Sequence, residues 1–256
     1  MTAGARGRSF EELAEEGERA PIHGWDFGWL DGRAIEERPS WHYFDLVAAH
    51  ASNVRSLLDL QVGSGGMIAA LPHVPALTVG TEGYAPNVPV AAGNLASRGA
   101  RLVRTDEDRP AFPFADEVFE LVTSRHPVDT WWDEIARVVM PGGIYVSQQV
   151  GPHTVRELSE AMLGPVPEHS TRDPEAARLA AEQAGLVVTN LRVERPRTEF
   201  YDIGAVVYFL RLVVWIVPDF SVDRYRAELE RLHEQIERDG AFRTAASRFL
   251  IEAVKP

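Results

Sequence analysis

The chain of 256 residues contains no cysteine. That excludes disulfides, zinc–thiolate centres and thiol nucleophiles, and it fits a reducing cytoplasm. Long apolar runs are also missing. The most hydrophobic stretch, GAVVYFLRLVVWIV at 204–217, is interrupted by Arg211. A bilayer span needs about 20 apolar residues, so this stretch reads as a buried helix or strand. Positive charge is scarce: 26 Lys and Arg face 38 Asp and Glu, for a net charge of −12. A phosphate-tracking surface needs a basic field, which argues against a nucleic-acid partner. The eight histidines show no HxxxH or HxH spacing beside acids, so no metal site is expected. The first residues carry arginines and no apolar core, unlike a signal peptide. The expectation is a cytoplasmic protein with neither membrane nor nucleic acid as partner.

What is present is an alternation of strands and helices. SLLDL, ALTVG, RLVR, VFELVTS and GGIYVSQQV, between residues 56 and 150, read as strands. Several are near-continuous apolar runs, as expected of a parallel sheet covered on both faces. The pattern over Ser56 to Gln149 is β-α-β-α-β-β-α-β. The helix in DTWWDEIARVVMPGG is expected to stop at Pro141 and Gly142. Ser9 with Glu12 makes a capping box. Asp173, Pro174 and Gly185 bracket a helix. Residues 186–200 read as one strand, residues 222–239 as an amphipathic helix capped by Ser221 and Gly240, and SRFLIEAVK as a closing strand. The domain expectation is a helical lid or extension over 1–55, then an α/β domain over 56–256 with a helical insertion at about 202–240.

The chemistry concentrates in LLDLQVGSGGM, at 57–67. Glycines in the first strand-to-helix turn let backbone approach a ligand, and the helix start offers N–H donors. An acid about 20 residues further on, at the end of the second strand, suits two ribose hydroxyls. Glu82 stands there. Two later blocks, FPFADEVFELVTSRH and EIARVVMPGGIYVSQQVG, complete the pattern.

With these residues the sequence resembles the class I S-adenosylmethionine-dependent methyltransferases, over roughly 56–151. It looks most like a bacterial branch with GWDF and QQVG stretches, here Gly24–Phe27 and Gln148–Gly151. The resemblance implies a Rossmann-like α/β fold: a mostly parallel seven-stranded sheet with an antiparallel last strand and helices on both faces. It implies S-adenosylmethionine as cofactor. Gly63 and Gly65 would lie close to its methionine part, with Asp59 organising the turn and Glu82 holding the ribose. Asp106, or else Asp108, would face the adenine. Ser124, Arg125 and His126 would follow the fourth strand beside the methyl group, with His126 as candidate general base. Trp25 and Phe27 are expected as a lid or pocket wall suited to a sulfonium. Tyr201 and Tyr208 lie in the segment expected to shape the acceptor pocket, or else to pack as an ordinary helix.

The chain departs from that pattern at Gln61, where the family has its first glycine, at Gly66 and Met67, where a glycine–glutamate pair is more usual, and at Pro127, where an acid is expected. Gln61 either blocks the amino-acid end of the cofactor or replaces a lost contact with its own amide. The implied function is methyl transfer to oxygen, nitrogen or carbon of a small molecule, in biosynthesis. Two alternatives stay open: a repurposed site that uses the cofactor for cyclisation or elimination, and a non-catalytic partner in a heteromeric complex. A homodimer is a further alternative.

Overall fold

The structure, a computed structural model, describes residues 7–22, 24–105, 111–167 and 172–256. In chain order the elements are α1 (Phe10–Arg19), β1 (Ala34–Glu36), α2 (Tyr43–Ala51), β2 (Ser56–Leu60), α3 (Gly66–Ala70), β3 (Leu77–Glu82), α4 (Val88–Ala96), β4 (Arg101–Arg104), β5 (Phe119–Arg125) and α5 (Trp132–Val138). There follow β6 (Val139–Val150), α6 (Arg156–Leu163), α7 (Pro174–Gln183), β7 (Val187–Glu194), β8 (Arg197–Phe200), α8 (Ile203–Leu212), α9 (Arg226–Asp239), β9 (Phe242–Ala245) and β10 (Arg248–Val254). Contacts divide the chain into two compact units. One comprises the described parts of Pro39–Pro152, Thr171–Glu194 and Arg248–Pro256, the other those of Met1–Arg38, His153–Ser170 and Arg195–Ser247.

The first unit holds a seven-stranded sheet of order β4-β3-β2-β5-β6-β10-β7. The β3–β4, β2–β3, β2–β5 and β5–β6 pairs are parallel, and β10 runs antiparallel to both β6 and β7. This is the fold that the resemblance implies. Every residue of β2 is buried, because apolar layers cover both of its faces. Leu58 and Leu60 pack with Val122, Tyr145, Phe249 and Ile251 on one side. Leu57 packs with Trp41, Tyr43, Val47, Leu121 and Leu250 on the other. Strand order reverses between β2 and β5. In open α/β sheets that switch point, beyond the carboxyl ends of the strands, is where ligands bind.

The second unit combines a three-stranded antiparallel sheet, β1-β8-β9, with α1, α6, α8 and α9. Its core joins Leu13, Phe200, Ile203, Val206, Leu229 and Ile236. The capping box forms as expected, with Ser9 Oγ accepting from Glu12 N and Glu12 returning the bond. Arg33 is clamped between Asp202 and Glu16 at 2.8–2.9 Å.

Three local expectations change. The stretch 186–200 forms two strands, β7 and β8, in different sheets. The break falls at Arg195–Pro196, where proline cannot donate to a ladder and restricts the residue before it. Helix α5 ends at Val138 rather than at Pro141. The β-branched Val139 is already extended, and Pro141–Gly143 lie inside β6 as an irregular stretch. Helix α9 starts at Arg226, and Ser221 Oγ accepts only from Arg224 N in the preceding turn. Gly240 closes that helix at φ +80°, as expected.

Candidate functional site

The turn after β2 is laced to the end of β3. Gln61 N donates to Thr81 Oγ1 at 3.1 Å, and Val62 N donates to Thr81 O at 2.9 Å. Gly63 N donates to Glu82 Oε2 at 2.7 Å, and Tyr84 N donates to Glu82 Oε1 at 2.8 Å. Glu82 is only 5% exposed. Burial pushes its pKa up, against the stabilising amides of Tyr84 and Gly63. The Gly63 and Tyr84 amides bind one oxygen each, and the Gly83 amide and the Asn87 side chain also bear on the carboxylate. Gly63 sits at φ +59° with open space where a Cβ would be, so a ligand can reach its backbone. Gly65, at φ +74°, plays another part, since a Cβ there would stand 2.4 Å from Leu95 Cδ1. Its bareness admits α4 rather than a ligand. A carboxylate for a ribose beside an uncovered backbone turn fits an adenosine-bearing cofactor.

Gln61 takes the left-handed conformation, φ +54°. Its side chain crosses the switch point. Nε2 donates to Asp129 O at 2.8 Å, and Val128 N donates to Oε1 at 2.7 Å. A non-glycine residue in that region costs on the order of 1–3 kcal/mol. Two hydrogen bonds of about 0.5–1.5 kcal/mol each are of the right size to offset it. The amide therefore ties the turn after β2 to the segment after β5.

Asp59, 3% exposed, faces Thr123, whose hydroxyl donates to Oδ1 at 2.8 Å. Burial raises its pKa to about 7, with Thr123 and the Arg125 guanidinium opposing the rise. Ser124 is enclosed. Its hydroxyl lies 2.8 Å from both Tyr145 OH and Ser147 Oγ, and its carbonyl accepts from Tyr43 OH. Its side chain is thus a buried strut between β5 and β6. Arg125 is exposed at the carboxyl end of β5.

His126 follows Arg125 at φ +54° and donates its N–H to Gln148 O at 2.7 Å. Its imidazole state follows from a chain of donors. Trp41 Nε1–H, a donor only, binds Gln148 Oε1 at 2.7 Å. That orients Gln148 Nε2 as a donor toward His126 Nε2, 2.9 Å away. The Nε2 lone pair is therefore taken and the proton sits on Nδ1. Burial, then Arg248, Arg125 and Arg172, hold the pKa well below the usual histidine value. A neutral ring with its acceptor nitrogen engaged is a hydrogen-bond donor, not the poised base expected from sequence.

The remaining candidates lie in the other unit. Trp25 and Phe27 are 42% and 44% exposed, with the Trp25 ring 5.3 Å from Trp215. Tyr201 OH donates to Glu199 at 3.2 Å. Tyr208 is core: it is 1% exposed, stacks on Trp29, and donates to Asp26 O at 2.9 Å. An apolar helix buried nearly all round leaves it no surface for a substrate. Asp106 and Asp108 lie outside the described residues. Sequence reading missed Thr81, Trp41, Asp129 and the role of Gln148. The QQVG stretch singled out Gln148, but no local pattern pairs it with Trp41, 107 positions away. A cavity of about 390 Å³ lined by Glu117, Arg137 and Lys255 lies where β5 begins, at the edge opposite to this site. Among the described residues no His, Asp or Glu group forms a metal cage, and no helix is long and apolar enough to cross a membrane.

Residues 58–147 match the family model of a methyltransferase domain. No curated protein matches the sequence. Among solved structures, the YcgJ protein of Bacillus subtilis is similar at 18% identity and TM-score 0.60, covering 84% of this chain and 98% of that one. The [4+2]-cyclase SpnF is similar at 19% identity and TM-score 0.52, covering 95% and 92%. A phosphoethanolamine N-methyltransferase of Haemonchus contortus, in complex with S-adenosylmethionine, gives 18% identity and TM-score 0.51, covering 84% and 53%. The chain is thus similar to a methyltransferase domain over residues 58–147, and its fold is that of the solved methyltransferase-like structures.

Proposed function

We propose that the protein binds S-adenosylmethionine at the carboxyl edge of the seven-stranded sheet and directs its methyl group to a small-molecule acceptor. The observation that carries this reading is Glu82, buried at the end of the second parallel strand and held by Gly63 N–H and Tyr84 N–H. Its carboxylate would accept the ribose hydroxyls in exchange for part of that local bonding, and Gly63 would admit the cofactor to the turn. The bound cofactor supplies an electrophilic methyl group on a sulfonium. What the chain supplies is alignment and exclusion of water. His126 contributes Nδ1–H as a donor, and Gln61 fixes the segment after β5. With no poised base at His126, acceptors whose nucleophile needs no strong base are favoured.

A second reading has one specific observation behind it. Gln61 spans the switch point, at the end where the cofactor's amino-acid part would bind. A site that retains the cofactor without transferring the methyl group accords with that, and the similarity to a protein named as a cyclase makes it concrete. Calorimetry with S-adenosylmethionine and S-adenosylhomocysteine, followed by a labelled-methyl assay over an acceptor panel, tests both. Micromolar binding with transferred label supports the first reading. Equal binding without transfer supports the second, and no binding of either compound overturns both.

A further inference from the structure

Gln61 is bonded as a bound ligand would be. Leu60 of β2 pairs in register with Ser124 of β5, so the two strands end side by side. Beyond them the chain turns left-handed twice, at Gln61 and at His126, both at φ +54°. Pro127 then offers no N–H, which makes Val128 the first donor of the segment after His126. Gln61 Oε1 accepts from Val128 N–H at 2.7 Å, and Gln61 Nε2 donates to Asp129 O at 2.8 Å. One carboxamide thus takes an N–H and a carbonyl from neighbouring residues, at the exposed side of the turn. Glycine would adopt this φ without strain. A glutamine is strained there, and its return is this pair of bonds. Two residues along the same turn, Gly63 N–H meets Glu82.

An N–H beside a carbonyl suits an α-amino-acid group, whose carboxylate accepts and whose ammonium donates. A carboxamide has the same two halves without the charges. With a ribose on Glu82, the group on its 5′ carbon lies over the first strand-to-helix turn, where Gln61 stands. We propose that Gln61 is a built-in substitute for the amino-acid group of the cofactor, and that this site takes 5′-thioadenosine ligands by nucleoside and sulfur alone. The tethered amide is present at an effective concentration that a free tail does not match. A tail that displaced it would trade two hydrogen bonds for two, with little net gain. At the exposed side of the turn, water and salt screen the tail's charges and remove most of their advantage. The amino-acid tail then adds little to affinity, and a nucleoside without one fits as well. This inference rests on the reading of Glu82 as the ribose acid, and it bears equally on transfer and non-transfer uses of the cofactor.

The test is calorimetry on the full chain with S-adenosylhomocysteine and with 5′-methylthioadenosine, a thioether nucleoside that has no amino-acid tail. The wild type is expected to bind S-adenosylhomocysteine no more than about 3-fold tighter than 5′-methylthioadenosine. Gln61→Gly uncovers Val128 N–H and Asp129 O, and should raise that preference to about 10-fold or more. Gln61→Asn is one methylene shorter and tolerates the left-handed region. It should shift the preference the same way, and it decides if Gln61→Gly fails to fold. A larger wild-type preference for S-adenosylhomocysteine, or a preference that neither substitution changes, overturns the proposal and leaves the cofactor reading standing. Failure of both compounds to bind the wild type and the variants overturns the cofactor reading, and this proposal with it.

Discussion

On the β3 side of the switch point, one carboxylate gathers backbone amides: Glu82 holds Gly63 N and Tyr84 N. On the β6 side, side chains hold side chains: Trp41 orients Gln148, and Gln148 orients His126. Backbone amides are the same whatever the residue, so the first side needs only glycine freedom and one acid. The second side depends on particular side chains drawn from distant parts of the chain. The difference teaches where this protein resembles others of its fold and where it is individual. The β3 side is built on generic backbone groups, and the β6 side on particular side chains.

The most severe way to break the generic side is Glu82→Ala. It removes the acceptor for two amides and, on the proposed reading, for the ribose. Affinity for S-adenosylhomocysteine should fall at least 100-fold by calorimetry, equivalent to about 2.7 kcal/mol or more. Retained affinity would mean that the cofactor is held elsewhere.

Asp59 lies between the two sides. Its folded pKa of about 7 exceeds the ordinary 3.8, so the native state keeps a proton that the unfolded chain releases. Stability contributed by this group is therefore lost as pH rises toward 7. Asp59→Asn keeps an acceptor for Thr123 and cannot ionise. Between pH 5 and pH 8, urea denaturation should show the variant gaining about 2–3 kcal/mol relative to wild type. Parallel pH curves for the two proteins would refute the raised pKa.

Gly65→Ala sharpens the separation of glycine roles. Its Cβ would meet Leu95 at φ +74°, so thermal unfolding should show a loss of about 1–3 kcal/mol. Gly63→Ala should cost about 1 kcal/mol of backbone strain yet impair cofactor binding more. Equal effects on stability would remove the distinction.

The smallest effect is expected at Gln61→Gly. It relieves strain and loses two hydrogen bonds of similar size, leaving net stability within about 1 kcal/mol. The visible change should be faster amide exchange at Val128, the donor to Gln61 Oε1. Unchanged exchange there would show that the Gln61 tie does not hold in solution.

Much of the framework was legible in the sequence. Buried strands announced themselves as apolar runs, and Glu82 stood at the right distance from the glycine turn. Asp173, Pro174 and Gly185 marked a helix that forms as read. Each of these signals is local or depends on spacing along one βα unit. The division of residues 186–200 between two sheets was less visible, although Pro196 marked the break. The α5–β6 boundary was misread because a proline–glycine pair looks like a helix stop even when the helix has already ended.

Sequence by itself determined the sheet, its glycine turn and the acid that serves it, because burial and backbone geometry impose patterns on neighbouring residues. Tertiary structure alone decided that Gln61 reaches Asp129, that Trp41 fixes the His126 tautomer, and that Ser124 and Tyr208 are enclosed. Those facts depend on side-chain direction and on strand register between segments far apart in the chain. Neither leaves a periodic trace along the sequence.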